Sequence, residues 1–87
     1  MDYKKRAIRA RNLLNSDEFQ GIIKDLRENQ MRLMADTSAH EVEKREDAHA
    51  IIRALNEIGY LLQADLNAEK MIERKERHAN EHWTENR

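Results

Sequence analysis

Apolar residues recur at spacings of three and four along most of this chain, a pattern typical of amphipathic α-helices. The first stripe joins Tyr3, Ala7, Ala10 and Leu14 and predicts a helix over residues 3–14. No segment alternates apolar and polar residues in the manner of a half-buried strand. We therefore expect an all-α fold.

The next apolar stripe predicts a second helix over residues 17–35. Asn15 and Glu18 have capping-box spacing at its start, with Asn in place of Ser or Thr, and Asp2 is a plausible N-cap for the first helix. The buried face expected for the second helix consists of Phe19, Ile22, Ile23, Leu26, Gln30, Leu33 and Met34.

The clearest turn signal in the chain lies at residues 36–38, and Ser38 and Glu41 repeat the capping-box spacing. A third helix is expected over residues 39–78, with a break at residues 65–67 left open because Asp and Asn favour helix ends. This helix is longer than the other two helices can cover.

The expected architecture is a single domain in which a short helix precedes a helical hairpin with a long third helix, a three-helix unit or bundle. Residues after about 69 should overhang, and residues 76–87 should form a polar tail. A domain of 87 residues buries a thin core, and the absence of cysteine removes disulfides and Cys-ligated zinc as compensation. Oligomerisation is the remaining way to add burial.

An apolar band on the third helix, between residues 50 and 62, covers well over half of the helix circumference. A surface helix of a monomer needs only about a 100° stripe. We favour a self-association seam over the alternative in which the first two helices cover the whole band. The seam is assigned to Ile51, Ile52, Leu55, Ile58, Gly59, Leu62 and Leu66, with Gly59 allowing close approach of the backbones.

The net charge of −1 is unevenly distributed, because residues 1–14 carry a balance of +4 and the remainder carries −5. One interpretation is a site for the phosphates of nucleic acid or a nucleotide, formed by Tyr3, Lys4, Lys5, Arg6, Arg9 and Arg11. The alternative is a solvated face that pairs with acidic residues of the third helix, namely Glu41, Glu43, Glu46 and Asp47.

The segment from His78 to His82 matches the His-x-x-Glu-His pattern of inverted zinc peptidases. Only five residues follow His82, and a polar helix end provides neither a further ligand nor a dry pocket, so catalysis is not expected. Adventitious metal binding is the most that these two histidines suggest, and no cofactor is expected. Trp83 stands alone in the polar tail, either as an interface anchor or without a role.

Three segments, residues 11–15, 17–19 and 46–55, resemble a group of short helical proteins encoded by tailed phages and prophages. Members of that group begin with a basic helix that ends in a Leu-Leu-Asn type turn and continue as a hairpin. The resemblance implies a phage-encoded accessory or virion-associated protein, with no functional residues to carry across.

Three functional hypotheses follow. The leading one is a non-enzymatic assembly protein of phage type, oligomeric through the third helix, that bridges larger phage or host proteins in the head, neck or packaging apparatus. The second is a counter-defence sponge that captures a nucleotide second messenger between subunits. The third is a small regulator that binds nucleic acid. Each would act in the host cytoplasm, or in the virion, without a membrane span, because no apolar run approaches about 20 residues.

Overall fold

The computed structural model describes the backbone of residues 2–85 and the side chains of residues 2–81. It contains three α-helices, α1 (Tyr3–Leu14), α2 (Asp17–Ala35) and α3 (Val42–Glu85), and no strand within the described residues. The predicted all-α class, with a long third helix that packs on the first two, is confirmed.

The caps explain where α1 and α2 meet. The Asp2 carboxylate accepts a hydrogen bond from the Lys5 amide at 2.8 Å, so Asp2 caps α1 as expected. At the start of α2 the sequence interpretation was wrong by one residue, since the Ser16 hydroxyl accepts from the Phe19 amide at 3.1 Å. Asn15 instead closes the C-terminus of α1, where its amide donates to the Arg11 carbonyl at 3.0 Å and the following amide, of Ser16, donates to the Leu13 carbonyl at 3.1 Å. The connection between α1 and α2 therefore consists of only two capping residues, Asn15 and Ser16.

The third helix begins at Val42, three residues later than predicted, because residues 38–41 form a separate turn. The Glu41 amide donates to the Ser38 carbonyl at 3.0 Å, and the Glu41 carbonyl then accepts the first helical bond from Arg45. The Ser38 amide and hydroxyl both donate to the Glu41 carboxylate, at 3.0 and 2.7 Å. The capping-box pair therefore exists, but it stabilises the turn before α3. Beyond it, α3 runs to Glu85 without a break at residues 65–67.

Both short helices pack along α3 and make few contacts with each other. The Arg27 guanidinium donates to the Asn56 side chain at 3.0 Å, and Arg45 donates to the Thr37 hydroxyl at 3.2 Å, so α2 runs antiparallel to α3 over residues 45–62. Arg9 contacts Asp65 on the next stretch of α3. The two short helices, α1 and α2, therefore pack one after the other along the single long helix α3.

The resulting molecule is a rod of 72 × 25 × 19 Å with a radius of gyration of 20.0 Å. A compact domain of this length has a radius of gyration of about 12 Å, and a helix with its side chains is about 10–12 Å across. The shorter dimensions therefore correspond to a hairpin about two helices wide. Such a shape has almost no interior.

Candidate interaction surfaces

The core of the chain lies along α3, where the two shorter helices pack against it. The apolar residues buried within the described part of the chain are Ala7, Ala10, Ala48, Leu55 and Leu62. The fully buried pair Ala7 and Ala10 lets α1 lie close against α3, since neither side chain extends beyond a methyl group. No residue of α2 is buried.

The structure divides the predicted self-association seam into two groups. Leu55 and Leu62 are buried inside the chain, and Ile52 and Leu66 are partly buried. Only Ile51, Ile58 and Gly59 are exposed. Nothing in the chain lies within 4 Å of a methyl group built on Gly59, so this glycine makes no close backbone approach within the chain. A seam between copies must therefore use other side chains than Leu55 and Leu62.

The buried face predicted for α2 is wrong for three of its seven residues. Phe19, Ile23, Gln30 and Met34 are partly buried, whereas Ile22, Leu26 and Leu33 are exposed. The physical reason is that α2 turns Arg27 and Gln30 toward α3, and Arg27 donates a hydrogen bond to Asn56 there. With only one helix to pack against, α2 cannot bury the whole of its predicted apolar face.

The predicted basic helix is partly neutralised by its own chain. Arg11 donates to the Glu69 carboxylate at 2.8 Å, and this contact raises the pKa of Arg11 and lowers that of Glu69. Arg9 lies 3.5 Å from the carboxylate of Asp65, a buried residue. That distance makes an ion pair without hydrogen-bond geometry, which explains why the Asp65 Oδ2 atom has no hydrogen-bond partner among the described residues.

The acidic partners that the sequence suggested for α1, Glu41, Glu43, Glu46 and Asp47, do not contact it in the structure, because α1 lies against the middle of α3 and not its beginning. The three remaining basic residues, Lys4, Lys5 and Arg6, are exposed. Lys4 lies 5.9 Å from the centre of the partly buried Tyr3 ring. Within the described chain Lys4, Lys5 and Arg6 form no ion pair with α3, although the charge of Lys4 contributes to the lowered pKa of Glu69.

The turn before α3 is held by a network that the sequence patterns revealed only in part. Lys44 forms an ion pair with Glu41 at 2.5 Å, and Arg45 donates to the carbonyls of Ser38 and Ala39. The hydrogen bond from Lys44 is the main cause that lowers the pKa of Glu41 to about 2, and the bonds from Ser38 add to it. The network fixes the turn that precedes α3.

The C-terminal part of α3 carries the sequence motif with His78, which is exposed; the side chains of His82 and Trp83 lie outside those described. Among the side chains of residues 2–81, no group of three His, Asp or Glu residues is placed to hold a metal ion. No helix in the described range is both long and apolar enough to cross a membrane.

Comparison with known proteins adds no family to this description: no family model, curated protein or solved structure matches the chain.

Proposed function

We propose that this chain is a non-enzymatic assembly protein that acts as a homo-oligomer. The observation that carries the proposal is its exposed surface, which is 7240 Å² for 10.4 kDa. A compact folded monomer of that mass exposes about 5,400 Å². The single chain therefore leaves an excess of about 1,800 Å², which lies within the range that each partner buries in an obligate homodimer, about 1,000–2,500 Å².

Part of this excess follows from the elongated shape, and part is apolar. Exposed large aliphatic side chains occur on all three helices, and α2 buries none of its residues. A contiguous apolar surface of several hundred Å² is uncommon on a protein that functions alone and indicates an interface. In the phage setting that the sequence resemblance implies, such a rod would bridge larger components of the particle.

A second candidate function is the binding of phosphate groups at the α1 end of the rod. Residues 2–14 and 65–81 together hold nine basic and six acidic side chains, a balance of +3, whereas residues 15–64 hold six and ten, a balance of −4. Lys5 and Arg6 form no ion pair within the described chain. Because Arg9 and Arg11 already pair with carboxylates, we rank this function below assembly.

Native mass spectrometry of protein purified from cells tests both proposals at once. A defined oligomer without a bound anion supports the assembly function. A co-purified nucleotide or oligonucleotide, lost when Lys5 and Arg6 are both replaced by Glu, would favour the second function. A monomer at micromolar concentration would contradict the first.

A further inference from the structure

We infer that one side of the α2/α3 hairpin, formed by Ile22, Leu26, Leu33, Ile51, Ile58 and Leu61, is the surface on which a second copy of this chain docks in antiparallel orientation. We call these six residues the apolar face. The inference rests on the proposed self-association and adds which surface is used and how the copies are oriented. All six side chains are exposed in the single chain.

The positions of these residues along the helices place them on one side. On α2 they occupy positions 22, 26 and 33, each one residue before the partly buried 23, 27 and 34. On α3 they occupy 51, 58 and 61, each one residue before positions 52, 59 and 62 of the stripe that faces α2. One residue is a rotation of about 100°. Because the two helices are antiparallel, the same one-residue offset turns both stripes to the same side of the hairpin.

The two stripes are also level with each other. The hydrogen bond between Arg27 and Asn56 sets the pairing of α2 with α3. Counting along both helices from that bond, Ile22 lies beside Leu61, Leu26 beside Ile58, and Leu33 beside Ile51. The apolar face therefore has three levels over about 10 residues, and each level carries one large aliphatic side chain from each helix.

A second copy fits this surface because both of its ends carry large aliphatic side chains on both helices. On α3 the face extends from residue 51 to 61, centred at residue 56, and on α2 from 22 to 33. A two-fold axis through these midpoints sets Ile51 opposite Leu61 of the second copy and Ile22 opposite Leu33. A self-complementary patch of this kind is what a two-fold interface requires. Two such hairpins form a four-helix bundle.

Charge selects the antiparallel orientation. Residues 36–47, at the turn end of the hairpin, hold five acidic and two basic side chains, whereas the α1 end carries a balance of +3. A two-fold axis perpendicular to the helices brings the basic end of each copy beside the acidic turn end of the other. The end of one copy that carries Lys4, Lys5 and Arg6 is then level with the end of the other that carries Glu43, Glu46 and Asp47. A parallel arrangement would set like charges side by side, which costs free energy.

The test of the face uses pairs of variants with matched exposure. Ile22 and Leu61 are 59% and 57% exposed, and both are on the apolar face. Met31 and Tyr60, on the same two helices but on other sides of them, are 57% and 70% exposed. Sedimentation velocity should show that the double variant I22E/L61E is a helical monomer, whereas M31E/Y60E keeps the wild-type oligomer. Circular dichroism checks that both variants remain folded, and I22Q/L61Q replaces the first variant if it does not.

The possible results contradict different parts of the proposal. If the wild type is a monomer, the proposed function itself is wrong. If the wild type is an oligomer and I22E/L61E keeps that state, self-association stands and the assigned face is wrong. Dissociation of M31E/Y60E alone would place the interface on the other side of the hairpin.

The orientation of the two copies is measured by electron spin resonance, as the distance between two spin labels. Each copy carries one label on the cysteine of Val42→Cys, which is possible because the chain has no other cysteine. Val42 lies 14 residues from the midpoint of the face, so an antiparallel pair separates the two labels by 28 residues, about 42 Å at 1.5 Å per residue. A parallel pair would place them within roughly 20 Å, two helix diameters. A distance in the shorter range would overturn the antiparallel orientation.

Discussion

The ion pair between Arg9 and Asp65 gives the sharpest stability prediction, because its two members are buried unequally. Asp65 is 7% exposed, whereas the Arg9 side chain is 46% exposed. Replacing Arg9 by Ala leaves the buried Oδ2 atom of Asp65 with neither a hydrogen bond nor a counter-charge among the described residues. Replacing Asp65 by Asn leaves a cation that already reaches water. We therefore expect R9A to lower the free energy of unfolding more than D65N does.

The magnitude follows from the burial. Removing one partner from a fully buried pair costs about 3–5 kcal/mol, and an unsatisfied buried polar group costs about 1–3 kcal/mol. Because water reaches half of Arg9, we expect R9A to cost about 1–2 kcal/mol. Arg11→Ala removes a pair in which Arg11 is 48% exposed to solvent, which screens the interaction, and it should cost less than R9A.

Urea unfolding followed by circular dichroism measures these values, with every variant at the same protomer concentration because association shifts apparent stability. The double variant R9A/D65N should be more stable than R9A alone, since it removes the stranded charge. If R9A costs no more than R11A, or if adding D65N to R9A brings no recovery, Asp65 is not the buried anion that the structure describes.

Three further predictions concern the caps and the tail. Ser16→Ala should lower stability by about 1 kcal/mol through loss of the α2 N-cap, whereas Asn15→Ala should cost less; the reverse order in urea unfolding would restore the capping box predicted from sequence. The pKa of Glu41 is lowered to about 2, so its contribution to stability is present above the unfolded value of about 4.3 and is lost as the pH falls toward 2. Glu41→Gln should therefore flatten the pH dependence of the unfolding midpoint between about pH 4.5 and 2, and an unchanged slope would contradict the Lys44 and Ser38 contacts. Because residues 73–81 are all exposed, deleting residues 76–87 should shift the melting temperature by a few degrees at most; a larger loss would mean that the tail packs against a core or another copy.

The helices could be predicted from sequence because their signals are local. The stripe of Tyr3, Ala7, Ala10 and Leu14 and the turn residues after Ala35 report the periodicity and ends of single helices, and the observed ranges of α1 and α2 coincide with the expected ones. The start of α3 could not be read in the same way. Ser38 and Glu41 have the same spacing whether they begin a helix or close a turn, and the choice depends on Lys44 and Arg45.

The surfaces were harder to predict because they depend on which helices meet. The sequence shows that α2 has apolar residues over a wide arc, and only the packing shows that Ile22, Leu26 and Leu33 lie on the exposed side. Likewise, the composition of α1 indicates a basic helix, but its pairing with Asp65 and Glu69 depends on the position of α1 along α3. Long-range register of this kind has no signature in the periodicity of one helix.

In the proposed oligomer a single chain holds only part of the core, and a second copy completes it. The most direct measurement is the melting temperature of the wild type, followed by circular dichroism over a 100-fold range of protomer concentration. For a dimer, that range changes the stability of the folded state by about 2.7 kcal/mol, and the melting temperature should rise by about 5–10 °C. A melting temperature that stays constant over the whole range would show that the hairpin folds and stands alone.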